Sequence, residues 1–478
     1  MKYKSSLCWI RRDLRLSDNH ALYEALHNTE RVTLVFVYDI TILGKLKDKD
    51  DRRVTFIHES LQEMDLKLRE MGSALVTLFG DPRNEIPLLA KKLSVDAVYC
   101  NRDYEPVSKE RDETVYNRLK SLGITFHTFK DQVIFEGLEV ATQTGSAYRK
   151  FTPYKNTWLK KLTDHDIINF HPKFINLTPI SRLRKTLKYL SLNSIGFKNR
   201  KLWLESGEEA ASNRLSSFLN NIDMYDKNRD LPAVDGTSGL SVHLRFGTIS
   251  IRSLIRVIYK CKSKGAKLWL SELIWRDFYQ MILDRYPVVV EQTFLPQFNQ
   301  LKWSGKNSHF IAWKKGITGY PIIDAAMRHF NATGWMHNRL RMIVACFLMK
   351  DLLVDWRKGE AYFSRYLLDF DLAANNGGWQ WCASTGCDAQ PWFRIFNPVT
   401  QSKTFDSNGK FIRKILPEVS SFSNKDIHFP AAASIETQKK AACIIGKDYP
   451  KPIVKHAVQR DLFLSFFNQR KNQNKTNI

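Results

Sequence analysis

Between residues 369 and 381 the chain reads Asp369-Phe370-Asp371-Leu372-Ala373-Ala374-Asn375-Asn376-Gly377-Gly378-Trp379-Gln380-Trp381. Two acids at i, i+2 precede an Asn pair, a Gly pair and two tryptophans. Adjacent glycines remove two side chains and let backbone come close to a flat ligand. Trp379 and Trp381 point in opposed directions, about 180° apart in a strand and about 200° apart in a helix. One can then face a buried group and the other a cavity. The plainer alternative is a buried aromatic corner rimmed by acids.

Three further stretches carry chemistry. Thr237-Ser238-Gly239-Leu240-Ser241 offers hydroxyls and free backbone N–H groups at an expected helix start, a pattern that holds phosphates but also makes ordinary caps. Tyr225 and Arg229 precede it at a spacing that could reach the same ligand. In the run 269–279, helical spacing puts Trp269, Glu272, Trp275, Arg276 and Tyr279 on one face. A carboxylate between two indoles is expected to be desolvated, with its pKa raised. A half-exposed helix with Glu272 paired to Arg276 or Arg341 is the alternative. In 334–342, Asn338, Arg341 and Met342 share a face while Arg339 lies on another, which suits a cavity accepting phosphates and bases.

The elements that must hold these residues can be read from hydrophobic period. Short apolar runs at Ser6–Ile10, Val32–Tyr38, Ala74–Phe79, Asp96–Cys100 and Ile124–Phe129 alternate with amphipathic stretches near 18–28, 53–71, 83–93 and 107–122. Asp18-Asn19 and Asp81-Pro82 are helix-start signals. The alternation predicts an α/β N-terminal domain with a doubly wound parallel sheet over 1–130. Arg11-Arg12-Asp13-Leu14-Arg15 follows the first strand where a dinucleotide fold would place its glycines. Asp39, Arg53, Asn101 and Asp103 fall near strand carboxyl ends, where such sheets bind ligands. Residues 131–200 read as an interdomain connection with helix near Pro153–Leu162. From 201 to 478 the period is helical, with helices expected at Glu208–Asn220, Ile251–Tyr259, Lys267–Asp284, Tyr320–Phe330, His337–Lys350 and Glu360–Leu368.

The formal charge is +24 and very uneven: residues 1–130 carry 22 basic and 20 acidic side chains, the remainder 51 and 29. The later part is therefore the expected polyanion binder. The seven cysteines are scattered without C-x-x-C or zinc spacing, so no metal is expected. Neither a signal-peptide core nor a membrane-length apolar run is present, and a soluble, cytoplasmic protein without a membrane partner is expected.

Taken in order, Thr237–Ser241, Trp269–Tyr279, the run 319–328 (Gly319-Tyr320-Pro321 to Met327-Arg328), Gly334–Met342, Asp369–Trp381 and Phe393–Pro398 resemble the photolyase/cryptochrome family, and more narrowly its class I cyclobutane pyrimidine dimer photolyases. The resemblance runs from Trp9 to about Val458. It implies an all-α C-terminal FAD-binding domain behind an antenna-chromophore domain. FAD, working as FADH⁻, would be held by Tyr225, Thr237, Ser238, Gly239, Leu240, Ser241, Trp269, Asn338, Arg341, Asp369, Phe370 and Asp371. Asn375 matches the residue facing flavin N5, and Arg341 and Asp369 should pair. The partner implied is DNA containing pyrimidine dimers, bound by a monomer, with the lesion flipped out; photolyases are established base flippers. Glu272 matches the carboxyl that hydrogen-bonds the lesion, and Trp275 and Trp381 its aromatic walls. Arg229, Arg276, Tyr279, Asn338, Arg339, Met342 and Gln401 match DNA or lesion contacts. Trp379, Trp356 and Trp303 match an electron relay to the oxidised flavin.

The match departs at the antenna. Folate-binding relatives place Asn-Glu shortly after the Tyr-Glu of this region, whereas here Tyr104-Glu105 runs into Pro106-Val107-Ser108. Asp39, Arg53, Asn101, Asp103 and Glu105 look more like deazaflavin-binding relatives, which favours a deazaflavin, or a flavin in the same slot, over methenyltetrahydrofolate; an empty slot stays open. Two rivals remain within the family. A signalling cryptochrome often loses the repair set that Glu272, Trp275 and Met342 supply here. A (6-4) photolyase would carry a His pair where His337 is followed by Asn338 and Arg339.

Overall fold

The computed structural model describes residues 1–188 and 190–473, with side chains described as far as Phe467 apart from residue 189. The chain forms two compact units: residues 1–223 with 238–287, and residues 224–237 with 288–478.

The first unit is built on five strands: β1 (Ser6–Ile10), β2 (Val32–Asp39), β3 (Val76–Gly80), β4 (Ala97–Asn101) and β5 (Thr125–Phe129). All pair in parallel, in the order β3-β2-β1-β4-β5. Both β1 and β2 are buried along their whole length, as parallel strands covered on two faces must be. Helices α1 (His20–Asn28), α2 (Arg52–Glu70), α3 (Pro82–Lys92) and α4 (Pro106–Ser121) make the crossovers. The expected start signals act as caps: Asn19 accepts from Leu22 N at 3.2 Å, and Asp81 accepts from Arg83 N with Pro82 in the first turn. The strand order reverses between β1 and β4, so the crevice at their carboxyl ends is the ligand position this topology favours.

The same unit also holds α5 (Phe151–Lys161), α6 (Gly207–Leu219), α7 (Ile251–Ile258) and α8 (Lys264–Arg285). The change to helical period near residue 203 is therefore not where the units part. Contacts across long sequence separation decide that instead. Phe151 of α5 stacks on Trp275 of α8, and Trp158 of α5 donates to Asp277.

The second unit is helical, with α9 (Pro321–Thr333), α10 (Asn338–Cys346), α11 (Trp356–Tyr366), α12 (Leu372–Ala383) and α13 (Pro398–Phe405) among its elements. Its core joins Trp313, Phe330, Val344, Phe347, Trp356, Phe363 and Trp379. The single helix expected over His337–Lys350 is α10 followed by a π-helical turn, Phe347–Asp351. No described helix is long and apolar enough to cross a membrane, and among the described residues no group of three His, Cys, Asp or Glu could hold a metal ion.

Candidate active site

Expected site residues occur in both units: Ser238–Ser241 and Trp269 of the flavin set lie in the first, Tyr225, Thr237, Asn338, Arg341, Asp369 and Asp371 in the second. In the first unit α8 presents Glu272, Trp275, Arg276 and Tyr279, all partly exposed, on one face. Trp275 packs against three rings: it lies parallel to Phe151 at 3.7 Å between centroids, with Phe278 edge-on at 5.6 Å and Tyr279 at 5.4 Å. The Arg276 guanidinium donates to the Gln132 carbonyl. Glu272 is half-buried rather than sealed between the two indoles. Trp269 is buried, edge-on to Phe218 of α6 at 4.7 Å.

The segment 238–241 is shaped by Arg214, whose Nε donates to the Ser238 carbonyl at 2.7 Å. Gly239 has φ +65°, a backbone conformation that favours glycine, and a Cβ there would sit 2.7 Å from Arg214 Nε and displace that guanidinium. Leu240 is buried and Ser241 opens the short helix Ser241–Phe246. Thr237 ends the segment that belongs to the second unit.

In the second unit the expected Arg341–Asp369 pair is present at 2.7 Å, while Arg341 Nε donates to the Met336 carbonyl at 2.8 Å. The Asp369 side chain is 3% exposed, yet its Oδ1 has no hydrogen-bond partner. Phe370 is partly buried beside it. Asp371 caps α12, accepting from Ala374 N at 3.1 Å. One and two turns on, at i+4 and i+7, stand Asn375 and Gly378. Asn375 Nδ2 donates to Glu360 Oε1 at 3.0 Å, and burial raises the pKa of that carboxyl. A Cβ built on Gly378 meets nothing within 4 Å.

Asn338 is exposed at the start of α10, where the His337 side chain accepts from Arg339 N. Met342 is half-buried. Arg339 pairs with Asp230 at 3.0 Å and lies 4.3 Å from the Phe405 ring. Arg229 stands over the buried Tyr225 ring at 5.4 Å and 3.9 Å from the same Asp230. Gln401 on α13 has a buried Oε1 without a partner.

The opposed tryptophans of α12 differ as the helical spacing predicts: Trp379 is buried and Trp381 partly exposed. Trp379 lies against α11 at Gly359, where a Cβ would come within 2.2 Å of its ring, so the close approach depends on that glycine. Trp356 is one turn earlier on α11 and buried; Trp303 is partly buried, 5.8 Å from the Phe466 ring. The indole N–H groups of Trp303 and Trp356 are both buried without partners.

The second unit thus offers a cationic group, a buried carboxylate oxygen lacking a donor, and a helix face opened by glycine. These residues fit a flavin, whose ring edge carries N–H and C=O groups and whose faces are flat. The family model described as the FAD binding domain of DNA photolyase matches residues 269–469, and that described as DNA photolyase matches residues 6–173. A curated relative, the deoxyribodipyrimidine photo-lyase of Synechococcus, is 38% identical over 97% of this chain and 96% of its own.

The chain belongs to the DNA photolyase family.

Its fold agrees. A bacterial class III photolyase from Agrobacterium tumefaciens superposes with TM-score 0.90 at 33% identity, covering 99% of this chain and 98% of that one. An archaeal photolyase from Sulfolobus tokodaii, solved with two FAD molecules, superposes with TM-score 0.83 at 32% identity, covering 97% and 100%.

Against this family background the antenna candidates of the first unit look different from the flavin candidates of the second. Asp39 caps the turn after β2, accepting from Thr41 N at 2.8 Å. Arg53 is held by Asp51, with Nε to Oδ1 at 2.9 Å. Asp103 and Glu105 both pair with Arg12, at 3.3 and 2.9 Å, and neighbouring arginines hold the Asp103 carboxyl well below the usual range despite its burial. Asn101 is buried and faces inward. Its Nδ2 donates to Asp13 at 2.6 Å and Asn19 at 2.8 Å, and its Oδ1 accepts from Ala21 N.

Several site-supporting residues were not anticipated. Asp230 was hidden beside Arg229, and Glu360 and Gly359 lack any local signal. Asp277 had one: helical spacing sets it in the apolar stripe of Leu270, Leu273, Ile274 and Met281, where an acid is out of place.

Proposed function

We propose that this protein uses blue light and reduced FAD to split cyclobutane pyrimidine dimers in DNA. When bound, FADH⁻ supplies the photoexcited electron that opens the cyclobutane ring and takes it back afterwards. The observation that carries the reading is the Asp369 carboxylate, clamped by Arg341 on one oxygen and left buried and bare on the other. A flavin N–H can complete it, and leaving a buried carboxylate oxygen unpartnered is costly.

The remaining roles rest on this reading. Tyr225, the segment 237–241, Trp269, Asn338, Phe370 and Asp371 complete the flavin pocket, and Asn375, steadied by Glu360, presents its amide oxygen to the ring. Glu272 hydrogen-bonds the flipped lesion and stabilises charge developing on it. Trp275 and Trp381 wall the lesion, while Arg229, Arg276, Tyr279, Asn338, Arg339, Met342 and Gln401 position lesion and phosphates. Trp379, Trp356 and Trp303 relay electrons to oxidised flavin. We assign residues 1–130 to a second, light-harvesting chromophore of deazaflavin or flavin type, 131–200 to the connection and 201–478 to flavin and DNA. The protein is proposed to act as a cytoplasmic monomer.

The test is direct. Pre-reduced, FAD-loaded protein is mixed with an oligonucleotide carrying one thymine dimer and illuminated with blue light. Dimers should disappear in the light and persist in the dark. Equal dimer content in both arms overturns the reading.

A further inference from the structure

Beneath the lesion-facing side of α8 lies a buried carboxylate that the proposed repair chemistry does not use. Asp277 is 1% exposed. Its Oδ2 accepts three hydrogen bonds: from Ile134 N at 3.0 Å, Phe135 N at 3.3 Å and Trp158 Nε1 at 3.1 Å. It thereby ties two separate elements, the loop 132–135 and helix α5, to the middle of α8. The same two elements support the lesion face from behind. Phe151, two turns before Trp158 on α5, is the ring on which Trp275 lies flat. Gln132, two residues before Ile134, supplies the carbonyl that holds the Arg276 guanidinium.

We propose that Asp277 is a positioning residue for dimer recognition, fixing Trp275 through Trp158 and Phe151, and Arg276 through the 132–135 loop. The inference rests on the assignment of Trp275 and Arg276 to the lesion. Asp277 touches neither lesion nor flavin. Its effect is to keep an aromatic wall and a cation from relaxing when no DNA is bound, so that less ordering remains to be done on binding.

One arrangement of acceptors makes the idea testable by a near-isosteric change. All three donors converge on Oδ2, and Oδ1 has no partner. An asparagine can place its carbonyl oxygen where Oδ2 stands and keep every bond, whereas alanine keeps none. The experiment uses the FAD-loaded full chain and oligonucleotides with and without a thymine dimer. Asp277→Ala should raise Kd for dimer DNA about tenfold, the loss expected when one buried hydrogen-bonded network is removed. FAD content and repair per bound complex at saturating DNA should be unchanged, and Kd for undamaged DNA should move by much less than Kd for dimer DNA. Asp277→Asn should stay within about twofold of the parent. Exchange of the Ile134 and Phe135 amides should be slow in the parent and in Asp277→Asn, and fast in Asp277→Ala. Where Asp277→Ala does not fold, Trp158→Phe removes one donor with little change of shape and should weaken dimer binding alone, by about threefold. Equal dimer affinity for the Asn and Ala variants, or an unchanged affinity for Trp158→Phe, overturns the proposal. If the parent does not discriminate dimer DNA, the lesion assignment falls, and amide exchange still decides whether the clamp exists.

Discussion

The polar residues at the carboxyl ends of the sheet and those of the helical unit are similar in type and opposite in state. Around β2 and β4, Asp39 accepts from Thr41, Arg53 grips Asp51, and Asp103 shares Arg12 with Glu105; Asn101 donates to two residues and accepts from a third. Each side chain is answered from within the unit. In the helical unit, buried polar atoms are left open at Asp369 Oδ1, His337 Nε2, Gln401 Oε1 and the indole nitrogens of Trp303 and Trp356. Native interiors rarely leave such atoms bare, and those that stay bare mark strain, function or a missing partner. The difference separates carboxyl-end side chains that answer one another from atoms such as Asp369 Oδ1 that a ligand can complete.

The largest expected effect comes from removing the central open group. Asp369→Ala leaves the Arg341 cation, held at Met336 by its Nε, without its carboxylate partner. It also removes the carboxylate oxygen proposed to accept from the flavin, a charged hydrogen bond worth about 1.5–3 kcal/mol. FAD affinity should therefore fall by about a hundredfold. The check is flavin absorbance per mole of purified protein, together with Kd by titration of the apoprotein. Full flavin occupancy would mean that the bare oxygen is not completed by flavin, and the comparison would lose its strongest member.

How far such a contrast could be read beforehand depends on the range of the interaction. Strands and helices were legible to within a few residues because their period is local: β1 falls on Ser6–Ile10 as expected, and α3 begins at Pro82 behind Asp81. The Arg341–Asp369 pair was anticipated only through its matching motif, since 28 positions separate the partners and no spacing rule links them. What remained hidden arises in the folded chain: Gly359 against the Trp379 ring, Glu360 under Asn375, Asp230 between Arg229 and Arg339, and Asp277 beneath Trp275. The inward turn of Asn101 belongs to the same class. A residue at a strand end can face a crevice or its own unit, and only the presence of Asp13 and Asn19 decides.

Asn101 provides the second test, from the complete side. Asn101→Ala strips partners from Ala21 N, Asp13 Oδ2 and Asn19 Oδ1, all inside the first unit. Leaving such groups unsatisfied should cost about 3 kcal/mol, measured as a lowered midpoint in denaturant for the sheet unit. Near-ultraviolet absorbance of any second chromophore should follow the folded fraction and nothing else. A chromophore lost from fully folded protein would show that Asn101 contacts the ligand and that the sheet's carboxyl end is less complete than its bonds suggest.

The smallest effect comes from one of the open atoms of the first unit. Asp277 Oδ1 is buried there without a partner, as are Ser6 Oγ and Thr29 Oγ1. Burial pushes the Asp277 carboxyl up to about 6, opposed by Arg276, Trp158 and the amides of Phe135 and Ile134. The buried Tyr154 and Tyr104 hydroxyls also feel its charge, and their own pKa values are raised well above the ordinary one. Because the folded pKa exceeds the unfolded one, the folded chain binds more protons between about pH 4 and 6, and stability from this group falls as pH rises through that window. Above it the ionised form costs on the order of 3 kcal/mol, from a shift of about two units. Asp277→Asn removes that cost but buries an amide N–H₂ where Oδ1 was bare, a penalty of roughly 1–3 kcal/mol. The net expectation is a gain of about 1 kcal/mol at pH 8 that vanishes near pH 5, read as the difference in Tm between variant and parent at the two pH values. A difference independent of pH would mean that Asp277 stays ionised throughout. A further donor would then have to reach Oδ1.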